Sequence, residues 1–166
     1  MPSNAAESYS DIDLESSSLP SSSAWPSETI EIKIGRSVMQ LSAPRGAVPH
    51  WLENAVAQLN GVARLPENWD SYGAPKVHQR TIQHALQLLL QIMEPGVAPP
   101  RILATSHGGV ELGWHDRGKE LEITIDAPFR GEIYFCDEDA DEEEELPLGV
   151  DFSVPRRYVG RMTGAA

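Results

Sequence analysis

The residues with the clearest chemical potential lie in two places, an aromatic loop and an acidic tract. The loop is Leu65-Pro66-Glu67-Asn68-Trp69-Asp70-Ser71-Tyr72-Gly73-Ala74-Pro75. Trp69 and Tyr72 offer aromatic surfaces that can stack on a ligand or a partner, and Asn68 and Asp70 offer directional hydrogen bonds. The same residue types also suit a structural role, with the aromatic side chains anchoring the loop on the sheet and the polar pair binding backbone amides in Asx-type turns. The pattern favours the structural role and leaves a binding role for all four side chains open.

The acidic tract spans residues 137–145, where eight of nine residues carry a carboxylate. These are Asp137, Glu138, Asp139, Asp141, Glu142, Glu143, Glu144 and Glu145. The formal net charge of the chain is −12, of which the tract supplies −8, so about −4 remains for the rest. Such a tract repels nucleic-acid phosphates, and a basic protein surface is the expected partner. It lacks the turn glycine of a calcium loop, so it is expected to be either a solvated, self-repelling loop or a segment that binds a basic protein.

No residue pattern indicates an active site, a metal site or a cofactor site. His78 and His84 are six positions apart, which is not the spacing of two metal ligands on one helix face. Cys136 is the single cysteine, so no intrachain disulfide is possible. The chain contains neither a Gly-x-Ser-x-Gly nucleophile motif nor a Gly-x-x-x-x-Gly-Lys phosphate loop. An enzyme is therefore the less expected class, and we predict no catalytic residue, metal or cofactor.

The chain is expected to hold one domain flanked by tails. Residues 1–28 contain ten serines and neither lysine nor arginine, so we predict that they are disordered. A single domain is expected over 29–136, followed by the acidic tract 137–145 and a C-terminal extension 146–166. Within the extension, residues 150–154 are predicted to form a last strand.

The location expected from the sequence is the cytoplasm. The N-terminal residues show no cationic start followed by an apolar run, so no secretory signal is predicted. The longest apolar stretch, residues 85–93, is too short to cross a bilayer, and no membrane partner is expected.

Hydrophobic periodicity predicts an α+β fold with two helices and an antiparallel β-meander. Apolar residues recur at helical spacing from Pro49 to about Gly61 and from about Val77 to Met93. Period-two alternation predicts three to four strands between residues 101 and 136, joined by short turns that make neighbours pair. The two helices are expected to cover one face of the meander. A hairpin is predicted over residues 29–42, and it can extend the sheet of the meander. The same alternation places Trp114 in the core and His115 towards solvent.

One segment resembles a set of small, largely uncharacterised bacterial proteins. They share a Leu-Pro-x-Asn-Trp-Asp-x-Tyr-Gly-Ala motif, followed by a helix and a Gly-Gly-hydrophobic-x-hydrophobic-x-Trp strand. In this chain the motif runs from Leu65 to Ala74, and the strand is Gly108-Gly109-Val110-Glu111-Leu112-Gly113-Trp114. The similarity covers roughly Leu65 to Phe135. It implies a bacterial domain of helix-plus-meander type and brings no firm activity with it.

Three functions remain open at this point. The first is a small interaction protein, such as a regulator or an antitoxin-like or immunity-like inhibitor, that binds a basic partner. The second is a ligand-binding or structural accessory domain that uses the loop around Trp69 and Tyr72. The third is an enzyme of unknown type, which would require histidine and carboxylate side chains to converge in a pocket.

Overall fold

The computed structural model describes residues 26–162 of the chain. These residues form an α+β fold with three helices and two antiparallel sheets. The elements are β1 (Ser27–Ile34), β2 (Ser37–Pro44), α1 (His50–Arg64), α2 (Gln79–Ile92), β3 (Arg101–Ala104), β4 (Val110–Asp116), β5 (Lys119–Ala127), β6 (Arg130–Asp137), β7 (Glu142–Leu148) and α3 (Ser153–Arg161). The disorder predicted for residues 1–28 falls on residues outside the described part, except at its end, where β1 begins at Ser27.

The larger sheet is a meander in the order β3-β4-β5-β6-β7, with each strand antiparallel to the next. The predicted meander is therefore confirmed, but it has five strands rather than three or four. The fifth strand comes from the acidic tract, which does not leave the sheet. Strand β7 pairs with β6 from Glu142 opposite Asp137 to Leu148 opposite Gly131. The interpretation of the tract as a solvated loop is wrong for residues 142–145, because backbone pairing and contacts to α3 hold them in the sheet.

The N-terminal hairpin does not extend the meander. Strands β1 and β2 pair with each other and form a separate two-stranded sheet. The side chain of Asn60 on α1 accepts a hydrogen bond from the Gly35 amide and donates one to the Lys33 carbonyl, each 2.9 Å long. From α2, the side chain of Gln79 donates a 2.7 Å hydrogen bond to the Ile34 carbonyl. These bonds attach the hairpin turn to the two helices.

The two predicted helices are confirmed, with small differences at their ends. Helix α1 continues through Gly61 to Arg64, and α2 begins two residues after Val77. The apolar stripe of α1 is buried, as are most side chains of α2. Leu59, Leu86 and Leu89 have no exposed surface, and they lie in one core with the apolar side chains of the sheet.

The last element is a helix rather than the strand predicted for residues 150–154. Helix α3 buries Pro155, Tyr158, Val159 and, just after its end, Met162. These positions follow the i, i+3, i+4, i+7 spacing of one helix face. Pro155 is compatible with the helix because it lies in the first turn, where its missing N–H has no intrahelical acceptor.

The five-stranded sheet has a covered face and an open face. Along each strand, buried residues alternate with half-buried or exposed ones, which places the helices on the buried side. We call the opposite side the open face. Its residues are Arg101, Leu103, Glu111, Gly113, His115, Glu120, Glu122, Thr124, Arg130, Glu132, Tyr134, Cys136, Glu143, Glu145 and Pro147. Trp114 belongs to the covered face and is 4 % exposed, which confirms its predicted place in the core.

Candidate binding surface

The aromatic loop is held by its own polar side chains. The Asn68 carboxamide accepts a 2.7 Å hydrogen bond from the Gly73 amide. The Asp70 carboxylate accepts bonds of 2.8 Å from the Tyr72 amide and 3.0 Å from the Ala74 amide. The amides of Ala74 and Tyr72 thereby hold the pKa of Asp70 below its ordinary value. Asn68 and Asp70 therefore have the predicted structural role.

The two aromatic residues of the loop differ in their environment. Trp69 is half-buried, and its indole Nε1 is buried with no hydrogen-bond acceptor within residues 26–162. Tyr72 is 94 % exposed, so the prediction that it anchors the loop on the sheet is wrong. The loop reverses direction around it through left-handed backbone at Ser71 and Gly73, and this points the tyrosine away from the core.

We expect Tyr72→Ala to leave the free energy of unfolding unchanged within about 0.5 kcal/mol, because the side chain contributes almost no buried surface. Urea denaturation followed by circular dichroism measures this directly. Trp69→Ala is the matched control and should lower the free energy of unfolding by more than about 1 kcal/mol, because it removes a half-buried aromatic side chain. A large loss in Tyr72→Ala would show that the tyrosine packs on the fold.

The segment after the aromatic loop lies against the Gly-Gly turn before β4. Gly108 has φ +83°, and a Cβ added there would lie 2.9 Å from Cγ of Pro75. At Gly109 an added Cβ would lie 2.7 Å from the Ile125 carbonyl oxygen. The two glycines thus allow Pro75 and the backbone of β5 to approach the turn closely.

Part of the acidic tract binds α3 within the chain. Asp137 is 5 % exposed, and one of its oxygens lies 3.1 Å from Nη2 of Arg161 and 3.7 Å from Nζ of Lys119. Both oxygens of Glu142 accept 2.7 Å hydrogen bonds from the Arg161 guanidinium. The same guanidinium lies 4.3 Å from the centre of the Phe135 ring. Two of the acids predicted to bind a partner are therefore paired with a half-buried arginine.

A third acid of the tract is used in the same way. Glu144 accepts a hydrogen bond from the hydroxyl of the buried Tyr158, which in turn accepts a 3.0 Å bond from Arg157. The other predicted residues remain accessible. Glu138, Asp139 and Asp141 lie in the turn between β6 and β7, and Glu143 and Glu145 lie on the open face.

The open face gathers acids from four strands. Glu143 and Glu145 of β7 join Glu111 of β4, Glu120 and Glu122 of β5 and Glu132 of β6. Opposite these six carboxylates the face carries Arg101, His115 and, at the start of β6, Arg130 as basic residues within the described chain. This surface was not predicted from the sequence, where the polar partners of the alternating strands are interpreted as ordinary solvent-facing residues. A signal was present, since Glu111 and Glu122 each lie between two apolar residues of an alternating strand.

The ionisation of this face shows that its negative charges repel one another. Partial burial, followed by the charges of Glu111 and Glu120, raises the pKa of Glu122. The Glu145 carboxylate, which can share a proton with Glu132, raises the pKa of Glu132. Desolvation and the charge of Glu143 raise the pKa of Tyr134 to about 12. All three shifts favour the form with less negative charge, and for Glu122 the opposing effect of Arg101 is the smaller one.

A groove of about 700 Å³ begins on this face and crosses the edge of the sheet. Its floor is at Gly113, and its far wall is the segment Gly96–Pro99. This wall is fixed by a 3.0 Å hydrogen bond from the indole of Trp114 to the Ala98 carbonyl. The groove exists because β3 begins at Arg101, opposite Gly113, so the rest of β4 has no β3 residue beside it.

His115 and the carboxylates of the groove do not form a recognisable catalytic arrangement. His115 Nδ1 lies 3.9 Å from the Glu120 carboxylate, but the two side chains are 74 % and 43 % exposed. Within residues 26–162, no three histidine, cysteine, aspartate or glutamate side chains are placed to hold a metal ion. None of the helices in that range has the length and apolar character needed to cross a membrane.

The chain matches no known protein family, no curated protein and no solved structure. The similarity of the Leu65–Ala74 motif to the small bacterial proteins therefore stays a prediction. The geometry and charge of the open face are therefore the basis for assigning a function.

Proposed function

We propose that this chain is a non-enzymatic interaction protein, of the regulator or inhibitor type, that binds a basic protein partner through the open face of its sheet. The observation that carries the proposal is the set of six glutamates on a sheet face that no element of residues 26–162 covers, against which the same residues place only Arg101, His115 and Arg130 as basic side chains. The expected partner from the sequence was also a basic protein. The contact surface proposed here is the sheet face rather than the tract as a whole.

Charge complementarity supports this choice of partner. Lysine or arginine side chains brought to the face would relieve the repulsion that, after partial burial, raises the pKa of Glu122 and that, after the hydrogen bond with Glu145, raises the pKa of Glu132. They would also be attracted before contact, since a surface of one sign steers a partner of the opposite sign. A nucleic acid or an acidic protein would add to the repulsion.

The shape of the face also suits a protein surface. Its backbone is fixed in β-strands, so little backbone entropy is lost when a partner binds. Tyr134 lies near the middle of the sheet, and Leu103 on the edge strand is exposed, so apolar contacts are available beside the charges. We place such a pair in the bacterial cytoplasm, the setting expected from the sequence.

We expect removal of charge from the open face to weaken binding of a basic probe. The probe is a fluorescently labelled lysine-rich peptide of about 20 residues, and the measurement is fluorescence anisotropy at low and at physiological salt. The triple variant Glu122→Gln, Glu143→Gln, Glu145→Gln should bind the peptide at least tenfold more weakly, a loss of about 1.4 kcal/mol. Binding by the unmodified chain should fall as salt increases.

A matched variant controls for net charge. Glu67→Gln, Glu138→Gln, Asp139→Asn removes three exposed carboxylates, two of them from the tract, and leaves the open face intact. We expect its affinity at physiological salt to stay within about twofold of the unmodified chain, because none of these three carboxylates lies on the open face. Equal weakening by both triple variants would mean that the peptide senses only the overall charge, and the proposal would then be wrong.

The aromatic loop supports a second candidate, a ligand-binding role for Tyr72. The specific observation is that a rigid loop holds this tyrosine almost completely exposed. Titration of the chain with panels of metabolites should then change the fluorescence of the nearby Trp69, and Tyr72→Ala should abolish the change. If no compound in the panels has an effect, this candidate is excluded for the compounds tested and the open face remains.

A further inference from the structure

The open face has one position without a side chain in the middle of a strand. Gly113 lies between Glu111 and His115 on β4, and across the strands it faces Arg101 on one side and Glu122 on the other. It forms the floor of the groove described above. Glycine inside a strand usually lowers stability by roughly 0.5–1 kcal/mol relative to alanine, so its presence requires a reason.

The backbone does not supply that reason. Gly113 is not among the residues with positive φ, so its conformation is open to any residue. A Cβ added there would have its nearest neighbour, the Arg101 carbonyl oxygen, at 4.0 Å, which is an ordinary contact. Gly109, in the turn that precedes this strand, is the opposite case, because a Cβ added there would lie 2.7 Å from a backbone oxygen. What the glycine at position 113 preserves is the empty space above it.

The walls of this space carry carboxylates that are available to a cation. Glu122 forms no ion pair within residues 26–162, and Glu120 has only the distant, exposed contact with His115. The two arginines that line the groove already have acidic neighbours. Arg101 lies 3.9 Å from Glu111 and is 68 % exposed, and Arg117 lies 3.7 Å from Asp116.

We propose that the hollow above Gly113 receives a lysine or arginine side chain of the basic partner, whose charged end pairs with Glu122 and Glu120. This inference rests on the proposed function and names the specificity pocket within the same surface. The aliphatic stem of such a side chain would lie over the glycine, where no Cβ obstructs it, while its charged group reaches the carboxylates. The hollow would thus add recognition of one basic side chain to the general electrostatic attraction between the open face and the partner.

The decisive variant is Gly113→Val, which fills the hollow without changing charge. A β-branched residue is favourable in a strand, so the variant should fold with equal or higher stability. We expect it to bind the lysine-rich peptide at least tenfold more weakly in the anisotropy assay. The matched control is Thr124→Val on the neighbouring strand, which also adds no charge to the open face and should change the affinity less than twofold.

A second variant should act in the opposite direction. Arg101→Gln removes the cation that flanks the hollow, and we expect it to bind the peptide two- to fivefold more tightly. Unchanged binding by folded Gly113→Val, with weakened binding by the triple open-face variant, would overturn the pocket and leave the proposed function intact. If neither the triple variant nor Gly113→Val changes the affinity, both proposals are wrong.

Discussion

Arg161→Met is expected to lower the free energy of unfolding by about 3 kcal/mol, because it leaves the buried carboxylate of Asp137 without its main partner. Arg161 joins Asp137 and Glu142 to the end of α3 and lies over the ring of Phe135. After the substitution only Lys119 remains near Asp137, at 3.7 Å. Urea denaturation at neutral pH measures the loss, and near-ultraviolet circular dichroism should report looser packing of Tyr158.

Two further variants separate the ion pair from simple loss of packing. Arg161→Lys keeps the positive charge but loses the bidentate hydrogen bonding with Glu142, so it should lose less stability than Arg161→Met. Adding Asp137→Asn to Arg161→Met should restore part of the loss, because no buried charge is then left unpaired. If the two substitutions simply added their costs, the carboxylate would not be what makes the single variant unstable.

The second large effect concerns His84, whose side chain is 2 % exposed. Its Nε2 accepts a 3.2 Å hydrogen bond from the Phe129 amide, and its ring lies against Phe129 and Phe152 with centroids 4.6 and 5.9 Å away. We expect His84→Ala to cost about 2–4 kcal/mol through the cavity and the lost acceptor. Thermal unfolding at pH about 7.5 is the appropriate measurement, since the imidazole is neutral there in the folded chain.

His84 also makes stability depend on pH. Burial lowers its pKa from the ordinary value of 6.5, so the folded chain resists a proton that the unfolded chain accepts. The contribution of the neutral imidazole is complete above 6.5 and decreases as the pH falls through that value towards the lower pKa of the folded state. His84→Gln keeps a hydrogen-bond acceptor without a titrating group, so it should lose less stability than the parent chain between pH about 7 and 5.5. An identical pH dependence in both proteins would mean that other groups cause it.

Elements whose residue types match their structure were predictable from the sequence. Strands β4, β5 and β6 alternate apolar and polar residues, and both long helices show a continuous apolar stripe, so local pattern and final structure agree. The hairpin of β1 and β2 was also recognisable, but its separation from the meander was not. That separation depends on hydrogen bonds from Asn60 and Gln79, which join residues 25 to 45 positions apart.

Strand β7 was not predictable from its own residues. Four consecutive glutamates have no alternation and low strand propensity, so the local pattern indicates a solvated segment. Pairing with β6 and contacts from Arg157, Tyr158 and Arg161 of the last helix determine its structure. Helix α3 itself carried a usable signal in the spacing of Pro155, Tyr158, Val159 and Met162, which the strand prediction overlooked.

The chemistry of the candidate site was predictable from the sequence, but its position on the fold was not. An excess of acids indicated a basic partner, yet the tract divides between the two sides of one strand. Glu142 and Glu144 face the covered side and bind α3, while Glu143 and Glu145 face the open side. This division follows from the period of a strand, so it becomes visible only when the tract is known to be one.

Strand β7 is an edge strand of the meander, and the backbone groups on its outer side have no neighbouring strand in the described chain. Exposed edge strands can pair between identical molecules and lead to aggregation. Pairing of two β7 edges would place eight glutamates side by side, and Pro147 would interrupt the hydrogen-bonding ladder. The strand that completes this fold therefore also keeps its copies apart at neutral pH, and acidification, which neutralises the glutamates, would remove that protection.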